Sequence, residues 1–230
     1  MTFTIEVIAS SVEDAREAAS GGADRLEIVR DLDQDGLTPD IALVEKTLSA
    51  VSIPVRVMVR ERNTFDVADA PELKLLCRRT EEFSALPIDG LVMGFVQNGA
   101  VDLPHMRELA SHAAAKPITF HRAFDATSNR LRAIEDLKSL GSVDRILTSG
   151  GAGTWQERIA RLPEYATAAA PQISIMAGGG LDADIATQLA AHTYVREFHF
   201  GRAVRAGHST SGPVRAELVH NVRTRLQGYH

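Results

Sequence analysis

The chain has 230 residues, 44% of them hydrophobic, with a net charge of -5 and a pI of about 5.9. That balance, with no basic run, argues against a nucleic-acid or membrane-surface partner, and the lone cysteine, Cys77, excludes an intramolecular disulfide. No basic segment followed by an apolar run opens the chain and no stretch is apolar enough to span a bilayer, so a reducing, cytoplasmic placement is the expectation.

Residues 3–8 predict a first strand. Ser11 predicts an N-cap for a helix through Ala19, with Asp14 as a capping-box-like acid and Gly21-Gly22 as its stop. Residues 25–29 predict a second strand, 31–38 a polar loop, and Pro39 the start of a helix to about residue 50. A third strand, 55–59, leads into a long loop, 60–69, and a helix over 71–85 that carries Cys77. The following strand–helix pairs are 90–94 with 103–115, 116–120 with 129–140, 144–148 with 155–168, and 173–177 with 182–191. A last strand, 196–200, and a helix, 213–226, close the chain. Eight such units with no linker or composition shift predict one α/β domain over 1–230, a TIM-type (β/α)8 barrel, with 206–230 as closing helix and tail. A doubly wound sheet is built from the same unit and stays open as the alternative.

Alternate residues of a barrel strand face the helices and the interior. Ile5 and Val7 flank Glu6, Leu26 and Ile28 flank Glu27, and Phe198 and Phe200 flank His199. Val57 and Val59 alternate with Arg56, Met58 and Arg60, and Phe120 precedes His121. The charged groups thus fall on the inward parity, where an isolated charge is costly unless it is paired or used. Glu27, Arg60 and His121, each near a strand end, are expected to form one coupled cluster at the C-terminal mouth, with Glu27 against Arg60. Mid-strand Glu6 divides evenly between function and a structural ion network, and the lower Arg56 reads as structural. The stretch 119–125, Thr-Phe-His-Arg-Ala-Phe-Asp, adds Arg122 and Asp125 at the place where barrels bind ligands.

Three later strands run into small-residue loops: Ser149-Gly150-Gly151, Gly178-Gly179-Gly180 and Gly201-Arg202. Glycine lets backbone N–H groups approach an oxyanion, and a following helix adds partial positive charge. The expected ligand is therefore a small anion, with Arg202 beside it. His121 and His199 are the histidines at strand ends, and with Glu27 they could make a two-histidine, one-carboxylate set, but spacing across strands cannot test its geometry, so no metal is assigned. His192, His208, His220 and His230 read as surface or tail residues, and Cys77 as a small core residue. No nucleophile elbow, P-loop, CxxC or HExxH is present.

The segments Gly22-Ala23-Asp24-Arg25-Leu26-Glu27, Gly36-Leu37-Thr38-Pro39, Phe120-His121-Arg122-Ala123-Phe124-Asp125, Leu147-Thr148-Ser149-Gly150, Gly178-Gly179-Gly180 and Glu197-Phe198-His199 resemble the copper homeostasis protein CutC family. Order and spacing hold from about Glu6 to Arg202. The resemblance implies a TIM-barrel-like fold, a cytoplasmic location, frequent homo-oligomers and a copper annotation that is disputed, with no established reaction. Val29 stands where members argued to bind copper carry a cysteine, and the family's Arg-Pro-Arg-Gly-Gly-Asp-Phe becomes Arg60-Glu61-Arg62-Asn63-Thr64-Phe65. Loss of the thiolate argues against tight Cu(I) binding, so copper enters by family name alone.

Three functions stay open. An enzyme would use His121, Glu27 and Asp125 for acid–base chemistry on a small phosphorylated or polyhydroxylated metabolite. Its anion would be held by Arg60, Arg122, Ser149, Gly150, Gly179, Gly180, Gly201 and Arg202, with Glu6 and His199 in secondary roles. A copper-binding protein would need methionines or histidines to replace the thiolates, Met58 and Met93 being the suitably placed strand methionines. A sensor or scaffold would bind without turnover.

Overall fold

A computed structural model describes residues 2–228. Eight parallel strands close on themselves: β1 (Thr4–Ala9), β2 (Arg25–Ile28), β3 (Val55–Met58), β4 (Gly90–Met93), β5 (Ile118–Phe120), β6 (Val143–Thr148), β7 (Ser174–Ala177) and β8 (Glu197–Phe200). Each pairs with its sequence neighbours, and β8 meets β1 with Thr4 to Val7 opposite Glu197 to Phe200. A doubly wound sheet would leave two edges; this one has none, so the TIM-type barrel stands.

The helices alternate with the strands: α1 (Val12–Ser20), α2 (Ile41–Ala50), α3 (Ala70–Ser84), α4 (Leu103–Ser111), α5 (Arg130–Lys138), α6 (Trp155–Ala169), α7 (Ala183–His192) and α8 (Ala216–Gln227). Side chains of Ser11, Asp69, Asp102, Asn129 and Asp182 each accept the backbone N–H three residues on, and Thr154 with Glu157 forms a capping box. Among the described residues no helix is long and apolar enough to cross a membrane.

Three local expectations are corrected. Asp14 does not reach back to Ser11; its carboxylate accepts from Arg205 at 2.9 Å and from the Val214 N–H at 2.9 Å, tying the last loop to α1. That loop forms an Arg205–Val214 bridge first, so α8 starts at Ala216 rather than Pro213. Helix α4 stops at Ser111, ahead of Ala114 and Ala115, whose φ angles of +46° and +61° are non-helical. A hairpin that the periodicity does not predict pairs Val96–Gln97 with Ala100–Val101 around Asn98-Gly99. Both turn residues have positive φ, the geometry an Asn-Gly pair supplies.

The apolar parity of each strand packs outward against the helices in one continuous core that includes Ile5, Val57, Phe120, Phe198 and Cys77. Toward the strand starts the barrel interior is ionic. Arg25 pairs with Glu6 and, at 2.9 Å, with Glu197; Arg56 holds Asp89 at 2.9 Å, Asp144 at 2.6 Å and the Thr119 hydroxyl at 2.7 Å. Arg145 joins Glu197 and Asp144. Arg56 is therefore structural, as its low position implied. Farther up, Val29, Met58 and Val92, with Ile8 and Leu32, form a separate apolar cluster inside the barrel.

Candidate functional site

The closure of β8 on β1 places His199 directly opposite Glu6. The His199 Nδ1 lies 2.8 Å from Glu6 Oε1 and 3.5 Å from Glu27 Oε2, and all three side chains are buried. Burial alone would raise the Glu6 carboxyl, but Arg25 and His199 hold it well below the usual carboxylate range. Glu27 has the longer His199 contact and no bonded arginine. Burial pushes its carboxyl up to about 7, the neighbouring Glu6 charge adds to the rise, and His199 and Arg60 only partly oppose it. Burial works against the His199 imidazolium, yet its bond to Glu6 and the charge of Glu27 lift it above its usual value.

Arg60 and His121 meet at one aromatic ring. The Arg60 guanidinium lies 5.5 Å from the Phe65 centroid, and the His121 ring 5.4 Å from it. The hairpin anchors Phe65, because the Val96 N–H donates to the Phe65 carbonyl at 2.6 Å. Arg60 donates one bond to the Gln34 carbonyl at 2.8 Å, while its Nε is buried without a partner. The His121 Nε2 is buried without a partner as well. Its Nδ1 accepts the Ala123 N–H at 3.1 Å. Gly94 makes room for this ring, since a Cβ there would stand 2.8 Å from Nδ1. Burial, then Arg60 and Arg122, push His121 down to about 3, so it is neutral at physiological pH. A neutral imidazole that accepts at Nδ1 carries its proton on Nε2. His121 therefore presents an N–H donor, and with its lone pair on the Ala123 N–H it is placed to donate rather than to act as the base the sequence allowed.

Asp125 is committed elsewhere. Its carboxylate takes the Thr148 hydroxyl, the Ser149 N–H at 3.0 Å and the Ser149 hydroxyl at 2.7 Å, with Arg122 3.6 Å away. It braces the loop after β6 and does not stand free for catalysis. Arg122 in turn lies across the β7 loop: a Cβ on Gly179, whose φ is +83°, would sit 2.8 Å from its Nε. Arg202 borders the same loop beside Gly180. Gly150 is buried and turns with φ of +81°, and Gly201 leads into a 3-10 turn that carries Arg202.

The structure thus assembles two neighbouring groups. Glu6, Glu27 and His199 form the inner one; Arg60, His121 and Phe65 line the wall, with Arg122 and Arg202 on the rim. Glu27 lies against His199 rather than Arg60, which acts on it at longer range. The two-histidine set does not form, because Glu6 takes the place of His121 around Glu27 and His199. Met58 is packed in the inner apolar cluster and Met93 in the outer core. His192, His208 and His220 are exposed, and His230 lies outside the described residues. Sequence reasoning found Arg56 but missed its companions in the ionic floor, Arg25 and Arg145, and missed Phe65. Arg25 and Arg145 stand at strand starts, where charge is ordinary, and Phe65 lies in a loop without periodicity.

The profile of the CutC family matches residues 3–204. A CutC family protein of Xanthomonas campestris pv. campestris strain B100 is 37% identical over 215 residues, covering 93% of this chain and 86% of that protein. One from Vibrio parahaemolyticus is 35% identical over 214 residues, covering 91% and 86%. The crystal structure of a Streptococcus agalactiae protein, described as a candidate copper homeostasis protein CutC, superposes with a TM-score of 0.81 at 26% identity, over 86% of this chain and 98% of that one.

Proposed function

This chain belongs to the CutC family, and from that premise we propose that its barrel mouth binds a small organic anion, such as a phosphorylated or carboxylated metabolite. One observation carries the reading: two buried N–H donors, Arg60 Nε and His121 Nε2, border one aromatic ring and have no acceptor. Buried donors are normally satisfied, so a pair left open calls for a ligand oxygen. Electrostatics agree. Burial holds the Arg60 guanidinium below its ordinary proton affinity, Asp35 and Glu27 oppose that shift and Arg122 adds to it, so an anion on Arg60 would relieve the desolvation. The glycine loops with Arg122 and Arg202 would hold a terminal phosphate or carboxylate, and the deeper donors a second oxygen.

Phosphate is expected to raise the melting temperature at constant ionic strength relative to chloride, by selective binding to the folded chain. At 100 times its Kd, a ligand adds about 2.7 kcal/mol. Arg202→Ala and Arg60→Met should each blunt the response. Equal melts in phosphate and chloride would refute the reading.

Of the copper named for the Streptococcus protein, the Cu(I) ion does not fit the donors of this site. Cu(I) favours thiolates, whereas position 29 is a valine in an apolar cluster and the only thiol, Cys77, is buried on α3 in the outer core. Glu6, Glu27 and His199 do bring one ligand atom each within 4.8 Å of one another, but these are oxygen and imidazole donors, and Arg25 occupies Glu6. Competition against a Cu(I) chelator should detect no sub-micromolar site; a stoichiometric one at that affinity, abolished in Cys77→Ser or not, would contradict this.

An enzyme is the second reading, favoured by Glu27, a carboxyl that burial pushes up to about 7 and on which the Arg60 charge acts at longer range.

A further inference from the structure

We infer that the mouth enolises a small α-hydroxy carbonyl anion, with Glu27 as the base and the N–H groups of His121 Nε2 and Arg60 Nε as donors to the carbonyl oxygen. The inference rests on the anion-binding reading and assigns chemistry to it.

Elimination supports Glu27. Of the titratable groups at the mouth, Asp35, whose charge acts on Arg60, is an exposed loop carboxylate, and Asp125 is saturated by Thr148, Ser149 and Arg122. The lone pair of His121 is occupied by the Ala123 N–H, which leaves that ring only a proton to offer. The His199 Nδ1 is spent on Glu6, itself held by Arg25. Glu27 remains, buried, with its nearest basic atom 3.5 Å away and already bonded to another carboxylate. A carboxylate so placed accepts a proton without breaking a structural bond.

The donors fit the complementary task. A ketone oxygen accepts two N–H bonds, and an enolate oxygen accepts them more strongly, so preformed donors favour the transition state over the ground state. Being neutral, the imidazole polarises the carbonyl without protonating it outright. The rim arginines and glycine loops suit the phosphate or carboxylate of the same molecule.

The step balances without a co-reactant. The C–H bond beside the carbonyl breaks, and its proton passes to Glu27. The bonding pair becomes the carbon–carbon π bond, and the carbonyl π pair moves onto oxygen. Return of the proton to the same carbon exchanges or inverts it; delivery to the former carbonyl carbon, with the enediol hydroxyl proton passing to the former carbonyl oxygen, converts a hydroxy ketone into a hydroxy aldehyde.

The test incubates the full chain in D2O with dihydroxyacetone phosphate and, separately, hydroxypyruvate, reading loss of C–H signal by proton NMR. Wild type should catalyse deuterium uptake into at least one probe, and Glu27→Gln should lose about 100-fold or more, the usual contribution of a positioned base. His121→Phe should lose rate while Glu27 still titrates. Nitrogen-15 spectra should show the His121 proton on Nε2. No exchange above buffer with either probe, equal exchange in Glu27→Gln, or a proton on Nδ1 would each overturn the inference. If phosphate still stabilises the wild-type chain in those cases, the anion-binding reading survives; if it does not, the underlying reading fails first.

Discussion

Arg25→Met is expected to lower the unfolding free energy by about 3–5 kcal/mol, the usual cost of removing one partner of a buried ion pair. Arg25 bonds Glu6, touches the Met176 sulfur at 3.3 Å and reaches Glu197 at 2.9 Å. Glu197 keeps Arg145 after the change, so its loss is small. Glu6 is fully buried and keeps only His199. Methionine replaces much of the aliphatic volume, which confines the effect to charge and hydrogen bonding. The double variant Arg25→Met, Glu6→Gln should cost less than the sum of the two single changes, because the second relieves the uncompensated carboxylate left by the first. Urea unfolding of all four proteins measures this. Additive effects, or a cost below about 1 kcal/mol for Arg25→Met, would mean that Glu6 reaches water.

The position of Glu6 on the inward parity was legible in the sequence; its partner was not. Alternation around Glu6, Glu27, Arg56, Arg60, His121 and His199 revealed a barrel interior lined with charge, since only an inward set explains polar residues between apolar ones. Which charges meet depends on register and closure. Glu6 and His199 stand 193 residues apart and become neighbours because β8 pairs with β1. The expected Glu27–Arg60 contact assumed that adjacent strands bring their end residues together, but Arg60 lies beyond β3 and bends to the Gln34 carbonyl and Phe65. Roles were harder still. His121 looked like an acid–base group by residue type, and only the Ala123 N–H on its Nδ1 shows that its lone pair is taken. Asp125 looked catalytic by its place in the motif, and only the Thr148 and Ser149 contacts show it bracing a loop. The hairpin at 96–101 did carry a readable signal, Asn98-Gly99, in strands too short for periodicity to register.

Glu27→Gln should stabilise the fold at pH 8 while slowing proton exchange about 100-fold or more. Burial raises the Glu27 carboxyl from its ordinary 4.5 to about 7. Between those values the folded chain holds a proton that the unfolded chain releases, so this residue's contribution to stability falls as pH rises through that window and reaches its full penalty above it. A shift of that size corresponds to about 3 kcal/mol at 1.36 kcal/mol per unit. Glutamine keeps the shape of the protonated acid and never ionises. The variant should therefore match wild type near pH 4.5 and exceed it by up to about 3 kcal/mol at pH 8, with the difference growing mainly between pH 5 and 7. His199 moderates the gain, because it is lifted partly by the Glu27 charge and loses that support in the variant. His121 acts with the opposite sign in the same range: it resists protonation when folded, so stability falls as pH drops from 6.5 toward 3 in both proteins and cancels from the difference. Urea unfolding of the two proteins at half-unit steps from pH 4.5 to 8 gives the curve directly. A constant difference across that range would mean Glu27 titrates as an ordinary carboxylate, and the base assigned to the mouth would lose its physical ground. A rising difference would identify a residue that the fold holds at a stability cost, which is the mark of a group retained for chemistry rather than for packing.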